Sequence, residues 1–166
     1  MAAGSTYTPI ATTTLSSNQA TVTFSSISGS YTDLVLIVSA QQTPALNTQY
    51  IRFNGDTGNN YSYTILAGNG TSAVSTRNSN VDRWYSGYYA VPPTTGFGIE
   101  IYSFQNYANT TTYKTGLSRT NRASGGVDAM VGLWRSTSAI TSVTYGIDSG
   151  NLATGTTATL YGIAAA

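Results

Sequence analysis

The chain has 166 residues, a length typical of one domain that buries a substantial core. Charged side chains make up only 8% of it and leave a net charge of +1, which excludes electrostatic recognition of nucleic acid or of an anionic membrane as its main task. It has no cysteine and no histidine, which excludes disulfides, the usual nitrogen and sulfur metal ligands and the common nucleophile–base pairs of enzymes. We therefore expect no nucleic-acid partner, no membrane partner and no cofactor.

Residues 1–15 are predicted to form an extended N-terminal arm or edge strand. The segment is rich in threonine, and Pro9 confines it to the edge of a sheet because proline cannot donate a ladder hydrogen bond. It has neither a basic start nor a continuous apolar stretch, so we expect no secretory signal and synthesis in a cytoplasm. Residues 16–166 are expected to form a single β-sandwich domain.

The most apolar segment of the chain is Tyr31–Ala40, in which both faces are apolar from Leu34 to Val38. Its length and its β-branched residues predict a central strand that is buried on both sides. The segment Ala73–Asn80 has the opposite character. Its serine, threonine and asparagine residues predict an exposed loop.

The sequence YIRFNGDTGNNYSY predicts two strands joined by a tight turn at Asn54–Asn60. Asparagine and glycine tolerate positive φ, and aspartate and asparagine side chains bond to the backbone that follows them. A calcium loop is the alternative reading of this segment. Calcium prefers six to eight oxygen ligands with several carboxylates, and Asp56 is the only carboxylate here, so the turn is the favoured interpretation.

Two segments in the second half alternate between apolar and polar residues. In the first, Phe97, Ile99 and Ile101 share one face, while Glu100 and Tyr102 lie on the other. In the second, four apolar residues recur at every other position and are predicted to point inward. These residues are Val127, Ala129, Val131 and Leu133.

About ten strands, separated by turn signals and without any helical period, can be traced along the chain. This spacing predicts an all-β fold, an antiparallel two-sheet β-sandwich with a jelly-roll-like arrangement.

Four aromatic residues within six positions form the best candidate binding cluster: Trp84, Tyr85, Tyr88 and Tyr89. Such side chains offer apolar faces with polar tips and can stack on sugar rings. The same chemistry also suits a protein core or a contact with a neighbouring subunit, which is the favoured interpretation. The cluster is therefore a candidate contact for a partner or a glycan.

No catalytic arrangement is predicted, and we do not expect an enzyme. Serine–lysine catalysis would require Lys114, the only lysine, beside a serine, and no motif supports this. A glycosidase would require two carboxylates at a defined separation. The six candidates are Asp33, Asp56, Asp82, Glu100, Asp128 and Asp148.

Four stretches together resemble a domain found in virion structural proteins of tailed phages, especially cyanophages and other phages of aquatic bacteria. They are TYTPIATTTLSSNQATVTFSSISGSYTDLVLIVSA, RFNGDTGNNYSYTILAGNG, GLWRSTSAITSVTYGID and ATLYGIAAA. The resemblance implies a β-sandwich protein of the virion surface, and its motifs include no catalytic signature.

The resemblance implies either a capsid decoration (cement) protein or a module of the tail fibre that recognises a host surface glycan. A stand-alone domain without coiled-coil heptads, with a low-charge surface, favours the decoration protein. Its expected partners are the major capsid protein and further copies of itself in a homotrimer. The arm residues Tyr7, Thr8, Pro9 and Ile10 are candidate capsid contacts, because an extended segment can add a strand to a neighbour.

Overall fold

The computed structural model describes residues 6–164, which form fourteen strands. Among these residues there is no helix of the length and hydrophobicity needed to cross a bilayer. The strands in chain order are β1 (Tyr7–Thr14), β2 (Thr21–Phe24), β3 (Asp33–Ala40), β4 (Gln42–Thr43), β5 (Gln49–Phe53), β6 (Tyr61–Gly68), β7 (Ala73–Val81), β8 (Trp84–Tyr85), β9 (Gly98–Phe104), β10 (Lys114–Arg122), β11 (Gly126–Trp134), β12 (Val143–Ile147), β13 (Asn151–Leu152) and β14 (Thr157–Ile163).

The strands form two packed layers of unequal width. The larger sheet has eight strands in the order β1-β14-β3-β9-β10-β11-β6-β7, and the smaller has four in the order β2-β12-β5-β8. Strands β4 and β13 form a separate two-stranded ribbon. Neighbouring strands are antiparallel, and early strands pair with late ones, such as β2 with β12 and β1 with β14. This architecture confirms the predicted antiparallel all-β sandwich. The strand count exceeds the expected ten because of β7 and several two-residue strands.

Strand β1 is one edge of the eight-stranded sheet. Among the described strands it pairs with β14 alone, and the register shifts between Pro9 and Ala11, so that Ile10 lies in a bulge. Proline and a bulge are both common on edge strands, where they discourage pairing with a further strand. Strand β3 lies in the middle of the same sheet, with its inward side chains Leu34, Leu36 and Val38 fully buried.

The prediction of an exposed loop over Ala73–Asn80 is wrong, because β7 occupies this segment. It pairs along its whole length with β6 and forms the second edge of the eight-stranded sheet. Most of its side chains are exposed, so neither face carries the apolar periodicity from which a strand is normally read. Its stability comes from backbone pairing with a neighbour that is itself well buried.

The core between the two layers is centred on aromatic rings. The Phe53 ring lies edge-on to Trp84 at 4.8 Å and to Phe104 at 5.1 Å between ring centroids, and Trp134 lies 5.4 Å away. The Tyr61 hydroxyl accepts a hydrogen bond from the Phe53 backbone N–H at 3.1 Å. Rings from both sheets therefore interlock, and their polar atoms have partners.

The prediction that the apolar residues of β11 point inward is wrong. Val127, Ala129 and Val131 are exposed on the outer face of the eight-stranded sheet, and Leu133 is half-buried there. In β9, Ile99 and Ile101 lie on one face and Glu100 and Tyr102 on the other, as predicted, and the isoleucines likewise point outward while Glu100 is buried. The residues of β11 that point into the molecule are Asp128, Met130, Gly132 and Trp134.

The irregular segment between β8 and β9 explains why these apolar residues point outward. Its first part, including Ser86 and Ala90, is buried against the inner face of the larger sheet. The Asp128 carboxylate accepts hydrogen bonds from the backbone N–H groups of residues 88–90 at 2.6–3.2 Å, and the Thr120 hydroxyl donates to the Ser86 carbonyl at 3.4 Å. A buried segment without ladder partners requires polar side chains nearby. Where this segment covers the sheet, the inner face therefore carries polar side chains, Thr120 and Asp128, beside the core residues further along the strands.

Candidate functional site

The outer face of the eight-stranded sheet carries a continuous group of exposed apolar side chains. Five of them define what we call the apolar face: Leu66, Ile99, Leu117, Val127 and Val131. Their exposed fractions range from 40% for Ile99 to 64% for Leu66, and they come from four adjacent strands. Large contiguous apolar patches are uncommon on monomeric soluble proteins and often mark interaction sites.

The register of the sheet places these side chains beside one another. Leu117 lies directly opposite Val131 across the β10–β11 pair. In the next row, Ala129 lies between Leu66 on β6 and Arg119 on β10. Cross-strand neighbours on one face have Cβ atoms about 4.5–5.5 Å apart, so the residues form one surface rather than isolated contacts.

A shallow depression of about 610 Å³ lies on the apolar face. Its lining includes the small residues Ala73 and Ala129 and the larger residues Leu66, Ile101 and Val127. Small side chains between large ones create a surface into which a side chain of another molecule can fit. The depression therefore gives the apolar face shape as well as hydrophobicity.

Two arginines lie on the outer face of this sheet: Arg119 stands among the apolar side chains on β10, and Arg77 lies on the edge strand β7 beside Thr64. Arg119 has Ile101 and Ala129 as cross-strand neighbours, and its guanidinium forms no hydrogen bond or ion pair within residues 6–164. The arginines of the smaller sheet differ in this respect. Arg52 and Arg83 both pair with Asp82, at 2.7 and 2.6 Å between nitrogen and oxygen.

Trp84 does not belong to a surface binding cluster. Its exposed fraction is 0%, its Nε1–H donates to the Leu133 carbonyl at 3.0 Å, and its ring packs over Gly116 and Gly132. The prediction of a partner or glycan contact is therefore wrong for Trp84. The glycines of β10 and β11 leave the space that this indole fills.

The three tyrosines of the predicted cluster are divided between two places. Tyr85 lies on the smaller sheet, where its hydroxyl donates to Asp148 at 3.1 Å and Arg83 lies 5.6 Å from its ring centroid. Burial raises the pKa of Tyr85 to about 12, an effect that the nearby Arg83 opposes. Tyr88 and Tyr89 form an edge-to-face pair at 4.8 Å, and 48% of Tyr88 is exposed. Only this pair retains the character of an exposed aromatic site.

The arm residues Tyr7, Thr8, Pro9 and Ile10 belong to β1. Tyr7, Thr8 and Pro9 pair with β14, and the Ile10 side chain packs against the core. The structure therefore places the arm within the sandwich, while residues 1–5 lie outside the described part of the chain. The candidate contact of these residues with a capsid remains a prediction.

The Asn54–Asn60 segment forms the predicted turn, with positive φ at Asn54 and Gly55. Asp56 accepts hydrogen bonds from the Gly58 backbone, the Asn60 amide and Trp134 Nε1, the last at 2.7 Å. Burial alone would raise the pKa of Asp56, but these hydrogen bonds outweigh it and lower that pKa below its usual value. Both carboxylate oxygens thus bind protein donors, an arrangement that ties the turn to the end of β11.

The remaining acidic residues occupy separate environments. Glu100 accepts hydrogen bonds from the Tyr102 and Tyr145 hydroxyls at 2.5 and 2.9 Å inside the core. Asp33 accepts one from the Asn106 backbone at 2.7 Å at the end of β3. Within residues 6–164, no three acidic side chains lie close enough together to hold a metal ion.

The apolar face is the candidate site that was not predicted from the sequence. The sequence of β11 does contain an indication of this face: Asp128 and Gly132, which are poor core residues, alternate with the apolar residues that lie on the outer side. Comparison with known proteins does not assign the chain to a family: no protein-family model matches it, and a search of curated proteins finds no match.

Proposed function

We propose that the chain is a non-enzymatic structural protein of a phage virion, a capsid decoration protein that binds and stabilises the outside of the major capsid protein shell. The observation that carries the proposal is the apolar face on the eight-stranded sheet. The resemblance of the sequence to phage virion proteins supplies the identity of the partner. A homotrimer on the capsid surface is part of the proposal and rests on the same resemblance.

The form of the apolar face suits a permanent structural contact. Its side chains stand on paired strands of a wide sheet, so they are held in place before any partner binds. Preorganised surfaces lose little conformational entropy on association. Burial of a leucine or valine contributes about 1.5–3 kcal/mol relative to full exposure, and these side chains are already partly buried, so attachment draws on the whole apolar face rather than on one or two residues.

Imaging of natural phage particles with an antibody against the chain tests the proposal directly. We expect the antibody to label the head in a regular lattice. Label confined to the tail would contradict a decoration role.

A triple substitution of Leu66, Leu117 and Val131 by threonine should weaken binding to the capsid. Threonine retains strand propensity while it replaces apolar surface with hydroxyls, so the sandwich should still fold. We expect the Kd for purified heads that lack the chain to rise at least tenfold, a change of about 1.4 kcal/mol. The measurement is the amount of bound chain per capsid subunit across a concentration series.

Tyr88→Ala is the matched control, since it removes an exposed aromatic residue of the irregular segment that covers the inner side of the sheet. It should leave the Kd for heads unchanged. If the triple variant bound heads as tightly as the unaltered chain, the apolar face would not be the capsid contact.

The second candidate function is a tail-associated module that recognises a host surface glycan. The exposed Tyr88 beside Tyr89 is the observation that favours it, because tyrosine rings stack on sugars. In that case Tyr88→Ala would lower binding to host cells, and the triple threonine variant would not.

A further inference from the structure

We infer that the protein surface bound by the apolar face carries a carboxylate that pairs with Arg119, and that this surface belongs to a different protein rather than to a second copy of the chain. The inference rests on the proposed function, in which that protein is the capsid protein. It specifies the chemistry that this partner must present.

The position of Arg119 makes a charged partner necessary. Leu117 lies two residues before it on the same face of β10, and Ile101 and Ala129 lie opposite it on the neighbouring strands. Any molecule that covers these apolar side chains also covers the guanidinium. A buried charge without a partner strongly opposes association.

The chain itself provides no partner for this charge. The Arg119 guanidinium forms no ion pair or hydrogen bond among the described residues. Its planar guanidinium can form two parallel hydrogen bonds with one carboxylate, the geometry that arginine favours at interfaces. An aspartate or glutamate of the partner therefore satisfies both the charge and the hydrogen-bonding capacity of Arg119.

A second copy of the chain lacks the required carboxylate on this face. Only Asp33 lies on the outer side of the eight-stranded sheet, at the end of β3, where it accepts a hydrogen bond from Asn106. It is two strands and four residues from the row of Arg119, on the order of 16 Å at ordinary strand spacings. Two copies packed face to face about an axis at Arg119 would bring arginine and apolar groups together without a carboxylate.

The other carboxylates are committed elsewhere in the molecule. Asp82 and Asp148 bind Arg83 on the smaller sheet. Asp56 binds Trp134 at the turn, and Glu100 and Asp128 are buried between the layers. Charge complementarity therefore favours a different protein.

Chemical cross-linking of assembled particles tests this inference. The Arg119→Lys variant keeps the positive charge and introduces an amine, which a carbodiimide joins to a carboxylate in contact with it. Background cross-linking through other lysines is low, because Lys114 is the only lysine of the unaltered chain. It is buried, and its ammonium group donates to the Thr112 and Thr137 carbonyls. We expect mass spectrometry to find residue 119 joined to an aspartate or glutamate of another virion protein.

Thr23→Lys is the matched control, because Thr23 is exposed on the outer face of the smaller sheet. It should give no such cross-link. Joining of residue 119 to another copy of this chain would overturn the inference. So would a yield no higher than that of the control on particles that carry the variant at full occupancy.

Charge reversal provides a second, independent measurement. Arg119→Glu should raise the Kd for heads at least tenfold, and by more than Arg119→Lys, which keeps the positive charge but loses the two parallel hydrogen bonds. Equal binding of all three proteins would overturn the inference and leave the proposed function standing. The proposed function is decided separately, by whether the unaltered chain occupies heads at all.

Discussion

Replacement of Gly132 by alanine should lower the free energy of unfolding by about 3 kcal/mol, the upper part of the range for an overpacked core. A Cβ atom at this position would lie 2.5–2.9 Å from three atoms of the Trp84 ring system. Contacts this short force either the indole or the strand to move. Urea unfolding followed by tryptophan fluorescence measures the loss.

The Trp84 ring has little freedom to move away. Its Nε1–H is bonded to the Leu133 carbonyl, and its ring packs edge-on against Phe53 at 4.8 Å between centroids. On the side of β10, a Cβ added at Gly116 would also come within 3.1 Å of the indole. The clash at Gly132 must therefore be relieved at the expense of the central aromatic packing.

Gly68→Ala is the matched control for the substitution at Gly132. Gly68 lies on β6, paired with β11, and the nearest atom to an added Cβ is 3.9 Å away. Its effect on stability should stay within about 0.5–1 kcal/mol. Combining Gly132→Ala with Trp84→Phe should give less destabilisation than the sum of the two single changes, because the smaller ring leaves room. Additive effects would show that the contact with Trp84 is not the cause.

The strands that are easiest to predict from the sequence are those with a strong apolar period. Tyr31–Ala40 contains the central strand β3, and apolar residues fill both of its faces from Leu34 to Val38. Strand β7 has no such period, since most of its side chains are polar. It is held by backbone pairing at a sheet edge. Alternation thus reveals a strand only when at least one face is apolar.

The orientation of a strand cannot be predicted from alternation alone. In β9 and β11 the period of two is real, yet the apolar side faces outward. The usual rule assumes that the covering layer is another apolar face. Here the covering layer includes a buried irregular segment whose backbone requires Asp128 and Thr120. The sequence does not reveal which distant segment will cover a strand.

The same limit explains the error at Trp84. Local density of aromatic residues marks Trp84 and Tyr88 alike, but only tertiary packing separates a buried ring from an exposed one. The glycines that accommodate Trp84 lie 32 and 48 positions further along the chain, at Gly116 and Gly132. Such complementarity becomes visible only once β10 and β11 are paired.

The buried Glu100 should make the protein less stable as pH rises from about 4.5 to about 7. Burial between the sheets raises the pKa of Glu100 from 4.5 to about 7, although hydrogen bonds from Tyr102 and Tyr145 partly oppose the shift. When the carboxyl is protonated it can donate to Tyr102, whose hydroxyl lies 2.6 Å from Ser86 Oγ. The neutral form is therefore the one that suits the core.

Stability falls as pH rises because the folded protein and the unfolded chain bind different numbers of protons. Between pH 4.5 and 7 the folded protein retains the proton of Glu100 and the unfolded chain has lost it, so stability is greatest below this window and falls across it. A shift of this size corresponds to roughly 3 kcal/mol. Asp56 and Asp82 have lowered pKa values and act in the opposite direction, but only at more acidic pH, below about 4.

Glu100→Gln should remove most of this pH dependence, because a neutral amide occupies the same volume without ionising. The window is favourable for the measurement, since the chain contains no histidine that would titrate there. Urea unfolding at half-unit steps from pH 4.5 to 7.5 should show a fall of roughly 3 kcal/mol for the unaltered protein and a nearly flat profile for the variant. Asp33→Asn makes the same acid-to-amide change at the end of β3 and should keep the original slope. A slope retained by Glu100→Gln would assign the pH dependence to another group and would mean that the core accepts the charged carboxylate.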